Sequence, residues 1–114
     1  MRIQKEAVGR LVECDEIDIE EASRLQAEGA VILDVRNDDE RAERYVTGSI
    51  HIPLPQLAER LAEVPEGRVL TVCKMGARSA AAAELLEKQG GRTDVSSIAG
   101  GTDGWAAAGK PISS

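Results

Sequence analysis

The chain alternates short, nearly uninterrupted apolar runs with longer stretches of helical period. Two runs stand out, Ala30-Val31-Ile32-Leu33-Asp34-Val35 and Val69-Leu70-Thr71-Val72, and Val95 to Ile98 is read as a last strand. Continuous rather than alternating apolar character predicts strands covered on both faces. Glu16-Ile17-Asp18-Ile19 and Ser49-Ile50-His51-Ile52 add two shorter strands, the second ended by Pro53. Helices fill the gaps. Asp18 is an N-cap with Glu21 three residues on, Ala22, Leu25 and Ala27 form an apolar face, and Gly29 closes the helix. Asn37-Asp38-Asp39-Glu40 opens a short helix ending near Arg44-Tyr45, with acids at the positive end of the dipole. Leu57, Leu61 and Val64 space one face of another, which exits through Pro65-Glu66-Gly67. A strong helix over residues 79–89 turns Leu85 and Leu86 inward and closes at Gly90-Gly91. Thr102 or Asp103 caps a final helix carrying Trp105. About five strands alternating with helices predict an α/β fold: a roughly five-stranded, mainly parallel sheet with helices on both faces. Residues 1–14 show no clear period and are read as an N-terminal extension, with the domain at 15–114.

Composition sharpens this picture. At 114 residues the chain is one domain, and with one Trp, one Tyr and no Phe its core must be aliphatic. The net charge of −6 argues against a nucleic-acid or anionic-membrane partner. No apolar run approaches membrane-spanning length and no signal peptide is visible, so a cytoplasmic protein with free thiols is expected. The charge is uneven: residues 68–83 hold Arg68, Lys74 and Arg78 and no acid. A positive island in an acidic protein points to a small anionic substrate.

That island surrounds Cys73. In open α/β sheets ligands bind beyond the carboxyl ends of the strands. Asp34-Val35-Arg36, Cys73 and Gly100-Gly101 all fall at such ends, hence on one rim if the strands are parallel. A cysteine there is expected to be chemically exposed in a way a core cysteine is not. A thiol attacks as its thiolate, and an ordinary cysteine is only a few per cent ionised at neutral pH. A helix beginning near residues 77–79 would aim unpaired N–H groups at the sulfur, and Gly76 would let successive amides curl inward. Lys74 and Arg78 add positive charge, favouring both thiolate and anionic substrate.

The remaining reactive residues read as supporting. Cys14 lies in Val12-Glu13-Cys14-Asp15-Glu16, where acids raise a thiol pKa and repel anions. His51, the single histidine, alternates with Ile50 and Ile52 and reads as a half-exposed strand residue rather than as the base of a Cys–His pair. Asp34 and Arg36 brace the loop region, and Trp105 anchors the core under Gly100-Gly101. No metal-ligand cluster is visible.

Cys73-Lys74-Met75-Gly76-Ala77-Arg78-Ser79 resembles the active-site loop of the rhodanese superfamily. The resemblance extends over most of the chain. Leu33-Asp34-Val35-Arg36 is similar to the family's first motif. Gly48-Ser49-Ile50-His51-Ile52-Pro53-Leu54 is similar to its glycine-alanine-isoleucine-asparagine-isoleucine-proline segment. Gly100-Gly101 followed by Trp105 is similar to its closing motif. The resemblance implies a rhodanese-like domain at 15–114 that transfers sulfane sulfur from a donor such as thiosulfate through a persulfide on Cys73. Lys74, Met75, Gly76, Ala77, Arg78 and Ser79 would bind substrate. The acceptor would be cyanide or a thiol, the latter extending to a protein of a sulfur relay, and neither metal nor organic cofactor would be needed. The alternative is a relay module fed by a partner protein, with little turnover of free thiosulfate. Phosphatases of the same fold have five residues between cysteine and arginine. Here four separate Cys73 from Arg78, the cradle that suits sulfur. The chain departs from the family pattern at Arg41, where an aromatic is common, at Arg44-Tyr45, where glycine-histidine is usual, and at Thr47, where proline is. These positions bear on substrate shape and partner surface.

Overall fold

The computed structural model describes the backbone of residues 2–5 and 11–114 and the side chains of residues 14–114. In chain order the elements are strands β1 (Arg2–Lys5), β2 (Leu11–Cys14) and β3 (Glu16–Ile17), helix α1 (Ile19–Ala27), strand β4 (Val31–Asp34), helix α2 (Asp38–Glu43), strands β5 (Tyr45–Val46) and β6 (Ile50–His51), helix α3 (Leu54–Leu57), strand β7 (Val69–Val72), helix α4 (Ala77–Lys88), strand β8 (Val95–Ile98), helix α5 (Gly101–Ala107) and strand β9 (Ile112–Ser113). Five strands form one sheet in the order β3-β8-β7-β4-β6, every neighbouring pair parallel. The expected α/β architecture is therefore present. Among the described residues no helix is long and apolar enough to cross a membrane.

Strand alternation divides the core into two layers. Leu33, Val35, Val69, Cys73 and Val95 pack with Leu57, Val64, Ala80, Ala83 and Leu86 on the α3 and α4 side. Ile17, Ile32, Leu70, Val72 and Ile98 pack with Ala22 and Trp105 on the α1 and α5 side. Burial on both faces explains why β4 and β7 read as nearly unbroken apolar runs. Alanines at 80, 82 and 83 bring α4 close to the sheet, because small side chains shorten the distance of approach.

Several boundaries differ from the sequence reading. Strand β3 and helix α1 follow it, with Ile19 opening the helix instead of ending the strand: Asp18 accepts the Glu21 N–H at 2.8 Å, and Gly29 takes φ +109° after the last turn. Ala27, expected on the apolar face, is exposed. The single helix expected through Leu57, Leu61 and Val64 is instead the short α3 followed by a 3₁₀ turn at Leu61–Glu63. Leu57 and Val64 are still buried, so the spacing reported the inward face and not the continuity of hydrogen bonds. Helix α4 runs from Ala77 to Lys88, starting within the expected 77–79 and two residues ahead of the strong 79–89 period. Gly100, not Thr102 or Asp103, is the N-cap of α5. Strand β8 is not the last, because β9 pairs antiparallel with β5 through Tyr45↔Ser113 and Val46↔Ile112.

The N-terminal segment, read as a frayed extension, pairs β1 with β2 as an antiparallel hairpin, from Arg2↔Cys14 to Lys5↔Leu11. The rest of that expected extension, residues 1 and 6–10, lies outside the described residues. Cys14 is fully buried in the α4-side core. Burial, then Glu16, Glu87, Asp15 and Glu84, pushes its thiol up to about 11. The sequence reading that Cys14 is a poor nucleophile holds, with desolvation as the larger cause.

Candidate active site

Strand β7 delivers Cys73 to the carboxyl rim of the sheet. Thr71 and Cys73 share the α4 side of the strand, two residues apart. Thr71 Oγ1 donates to the Ser79 carbonyl at 2.7 Å, which ties the strand end to the first turn of α4. Between them the chain reverses at Gly76, whose φ of +128° lies where a side chain is strained. That reversal turns the Gly76 N–H onto Cys73 Sγ at 3.0 Å. The thiol donates in turn to Ser79 Oγ at 3.5 Å. Ser79 Oγ also donates to the Gly76 carbonyl at 3.0 Å and meets Ser97 Oγ at 2.8 Å. Ser79 therefore lies buried beneath the sulfur, braced against β8.

A second helix clasps the loop from the other side. The first N–H groups of any helix lack acceptors within it. In α5 two of them find the loop: Thr102 N–H donates to the Cys73 carbonyl at 2.8 Å and Asp103 N–H to the Lys74 carbonyl at 3.1 Å. Gly101 permits that approach, since a Cβ there would collide with both carbonyls. The expected link between Gly100-Gly101 and the cysteine loop is thus direct backbone contact.

Cys73 itself is only 1% exposed, contrary to the sequence expectation. Alternation along β7 aims its side chain toward α4, and the turn through Gly76 folds over it. Met75, in contrast, stands 71% exposed at the tip of the loop. Lys74 is exposed, Ala77 and Arg78 are half-buried, and Gly76 is buried.

The positive island is neutralised by acids from elsewhere in the chain. Arg78 forms a two-pronged pair with Glu40 of α2, at 2.6 and 2.9 Å. This bond to Arg78 holds the Glu40 carboxyl down at about 2, and Glu40 in turn raises Arg78. Glu40 also accepts the Asn37 N–H at 3.0 Å, which anchors it at the start of α2. Lys74 Nζ lies 2.8 Å from Asp103 Oδ2, and Arg44 Nη2 lies 2.8 Å from Asp103 Oδ1. A cavity of about 280 Å³ opens among Arg36, Glu40, Glu43, Arg44, Lys74 and Asp103. Glu40 and Asp103 were legible only as helix-start acids; their places at this cavity come from the packing of α2 and α5 around the loop.

Asp34 and Arg36 form the expected brace. Arg36 Nε and Nη2 donate to the two Asp34 oxygens at 2.9 and 2.8 Å, and the Arg36 N–H donates to Oδ1 at 3.0 Å. Both residues are buried. Arg36 Nη2 also donates to the Arg44 carbonyl at 2.6 Å, linking the brace to the α2–β5 connection. Arg41 joins it, donating to Ser49 Oγ and the Ser49 carbonyl at 2.8 Å each and stacking 3.9 Å above the Tyr45 ring. His51 is half-buried, with Nε2 bonded to the Arg36 carbonyl at 2.7 Å. It supports the neighbouring turn, and no bond joins it to Cys73. Trp105 is 1% exposed and donates to the Pro111 carbonyl at 2.9 Å, the anchor expected beneath the glycine pair.

Comparison with known proteins bears on the domain as a whole. A family model described as a rhodanese-like domain matches residues 18–108. A sulfurtransferase of Allochromatium vinosum is 35% identical over 102 residues, covering 86% of this chain and 94% of that protein. A thiosulfate sulfurtransferase GlpE of Pseudomonas entomophila is 36% identical over 90 residues, covering 78% and 82%. A putative sulfur carrier protein YrkF of Bacillus subtilis is 34% identical over 73 residues, covering 63% of this chain and 40% of that one. Among solved structures, a rhodanese-related protein of Thermoplasma volcanium superposes with a TM-score of 0.78 at 27% identity, covering 87% of this chain and 97% of that one. A thiosulfate sulfurtransferase of Pseudomonas aeruginosa gives 0.78 at 31% identity, covering 88% of this chain and 20% of that one. With the family model spanning all but the two ends of the chain, and with sulfurtransferases matched over most of their own length, this chain belongs to the rhodanese superfamily, in a sulfur-transfer role.

Proposed function

We propose that the domain, taken as residues 15–114, is a sulfurtransferase that carries sulfane sulfur as a persulfide on Cys73. In the first half-reaction the Cys73 thiolate attacks the outer sulfur of a donor such as thiosulfate. A new S–S bond forms on Cys73, the donor's own S–S bond breaks, and its electron pair leaves with sulfite. In the second, a thiophilic acceptor attacks the outer sulfur and the Cys73 thiolate departs. With cyanide the product is thiocyanate; a cellular thiol gains the sulfur in the same way. Charge and electrons balance in both halves without an external oxidant, metal or organic cofactor.

The observation that carries this reading is the Gly76 N–H aimed at Cys73 Sγ at 3.0 Å from a loop that opens α4. The first-turn amides of Ala77 and Arg78 lack acceptors within the helix, and so are suited to hold an anionic outer sulfur. In this proposal the loop backbone from Lys74 to Arg78 cradles the transferred sulfur, and Ser79 supports it from beneath. The two free cysteines fit the reducing cytoplasm expected from the sequence.

Steady-state kinetics with thiosulfate and cyanide tests the scheme. A ping-pong enzyme gives parallel double-reciprocal lines, and thiocyanate formation should vanish in Cys73→Ser while persisting in Cys14→Ser. Turnover surviving in Cys73→Ser would end the proposal.

A second reading is favoured by Met75. An exposed apolar side chain at the loop tip fits contact with a partner protein that delivers persulfide, and a relative bears the name of a sulfur carrier. Poor thiosulfate turnover alongside rapid transfer from a persulfidated protein would favour that relay.

A further inference from the structure

The cavity beside the loop is electrically balanced. Its walls bring three cations, Arg36, Arg44 and Lys74, against three carboxylates, Glu40, Glu43 and Asp103. Arg36 is committed to buried Asp34. Arg78, next along the loop, is committed to Glu40 on two prongs. The two cations left to meet a ligand are Lys74 and Arg44, and Asp103 occupies both, one on each oxygen at 2.8 Å. Lys74, Arg44 and Asp103 remain partly exposed, so a ligand can reach the triad from solvent. Asp103 is fixed over the loop by its own N–H on the Lys74 carbonyl. That bond sets the Asp103 backbone beside Lys74, and the ion pairs to Lys74 and Arg44 hold its carboxylate over the loop.

The cavity borders the Cys73 loop through Lys74, and a donor held there shares the space with the Asp103 charge. The cost of that repulsion scales with donor charge, so a dianion suffers about twice what a monoanion does. The same carboxylate withholds the two cations that would otherwise offset the donor. We propose that Asp103 is a specificity-determining residue, biasing the site toward sulfane donors of low charge and against small inorganic dianions. This rests on the sulfur-transfer reading of Cys73 and names the donor class that reading leaves open. The preferred donor would be a persulfide on an organic thiol. Such a donor follows the same balance: Cys73 thiolate takes the outer sulfur, the R–S–S bond breaks, and R–S⁻ leaves.

The test compares thiosulfate with methanethiosulfonate, which presents the same sulfane sulfur with one negative charge fewer. Asp103→Asn keeps size and backbone bonds while removing the charge. It should lower the KM for thiosulfate roughly three- to tenfold and that for methanethiosulfonate roughly two- to threefold, with kcat little changed. The salt dependence of kcat/KM for thiosulfate should steepen, because Lys74 and Arg44 are then unscreened by a neighbour. A merely structural role for Asp103 would raise KM or lower kcat instead. Thiosulfate and methanethiosulfonate affinities, measured by calorimetry on Cys73→Ser with and without Asp103→Asn, should tighten by the same factors. That measurement needs no turnover, so it reads the role of Asp103 even if the wild-type protein transfers no sulfur, which would instead defeat the reading of Cys73. Equal changes for both donors, no change, or weaker thiosulfate binding in Asp103→Asn would overturn the proposal.

Discussion

Replacing Gly101 by alanine probes how the loop is held. Gly101 has φ +60°, and its Cβ would meet the carbonyls of Cys73 and Lys74 at distances no backbone tolerates. The left-handed conformation alone costs alanine about 1 kcal/mol. Relief of the collision requires the start of α5 to lift off the loop. That strains the bonds from Thr102 N–H to Cys73 and from Asp103 N–H to Lys74, at 2.8 and 3.1 Å. At about 1 kcal/mol each, the total loss is about 3 kcal/mol, or roughly 10–20 °C in Tm for a domain of this size. Gly100 supplies the control. It also has positive φ, +83°, but its Cβ would meet only Gly104 Cα at an ordinary 3.6 Å. Gly100→Ala should therefore cost only about 1 kcal/mol. Urea denaturation of both variants at one pH reads the difference. Equal losses in the two would show that α5 does not press on the loop, and the account of the clasp would be wrong.

Other perturbations separate the remaining parts of the site. Asp34→Asn leaves the buried Arg36 guanidinium without its charge partner, and should destabilise the fold by about 3 kcal/mol in chemical denaturation; a loss under about 1 kcal/mol would mean that solvent reaches the pair. Glu40 has a folded pKa depressed from 4.5 to about 2 by Arg78, so its contribution is complete above the unfolded value and is lost as pH falls through about 2. Discounted for its partial exposure, that contribution is about 1 kcal/mol. Glu40→Gln should remove the matching part of the stability decline between about pH 4.5 and 2, and an unchanged acid limb would argue against the Arg78 pair. Cys14 has a thiol raised to about 11, so its burial favours the fold below the ordinary thiol range and that benefit is lost as pH rises through about 11. Alkaline unfolding should shift to higher pH in Cys14→Ala relative to its own neutral-pH stability, and an identical profile would remove Cys14 as a cause.

The sheet and the cysteine loop were legible because they rest on local signals. Strands β4 and β7 are buried on both faces, so their composition alone betrays them. Gly76 marks its own turn through a conformation that other residues avoid. The β5–β9 pair was not legible, since two-residue strands joined across the chain carry no period. The electrostatics of the site were misread for a related reason. Within residues 68–83 the chain has only basic charges, yet Glu40 and Asp103 reach Arg78 and Lys74 across separations of 38 and 29 residues. A window along the sequence cannot see partners supplied by two other helices. The departures at Arg41 and Arg44 were read as bearing on substrate shape and partner surface; folding places Arg41 on the Asp34 brace and Arg44 at the cavity mouth.

The central claim is that Cys73 carries the transferred sulfur, and the most direct measurement is the mass of the intact protein. After incubation with excess thiosulfate and rapid desalting, wild-type protein and Cys14→Ser should each gain one sulfur atom, and cyanide should remove it. Cys73→Ser should gain none. A sulfur atom retained by Cys73→Ser would place the chemistry elsewhere. Absence of any gain in the wild type, with thiosulfate, methanethiosulfonate and a persulfidated thiol each tried as donor, would contradict the account as a whole.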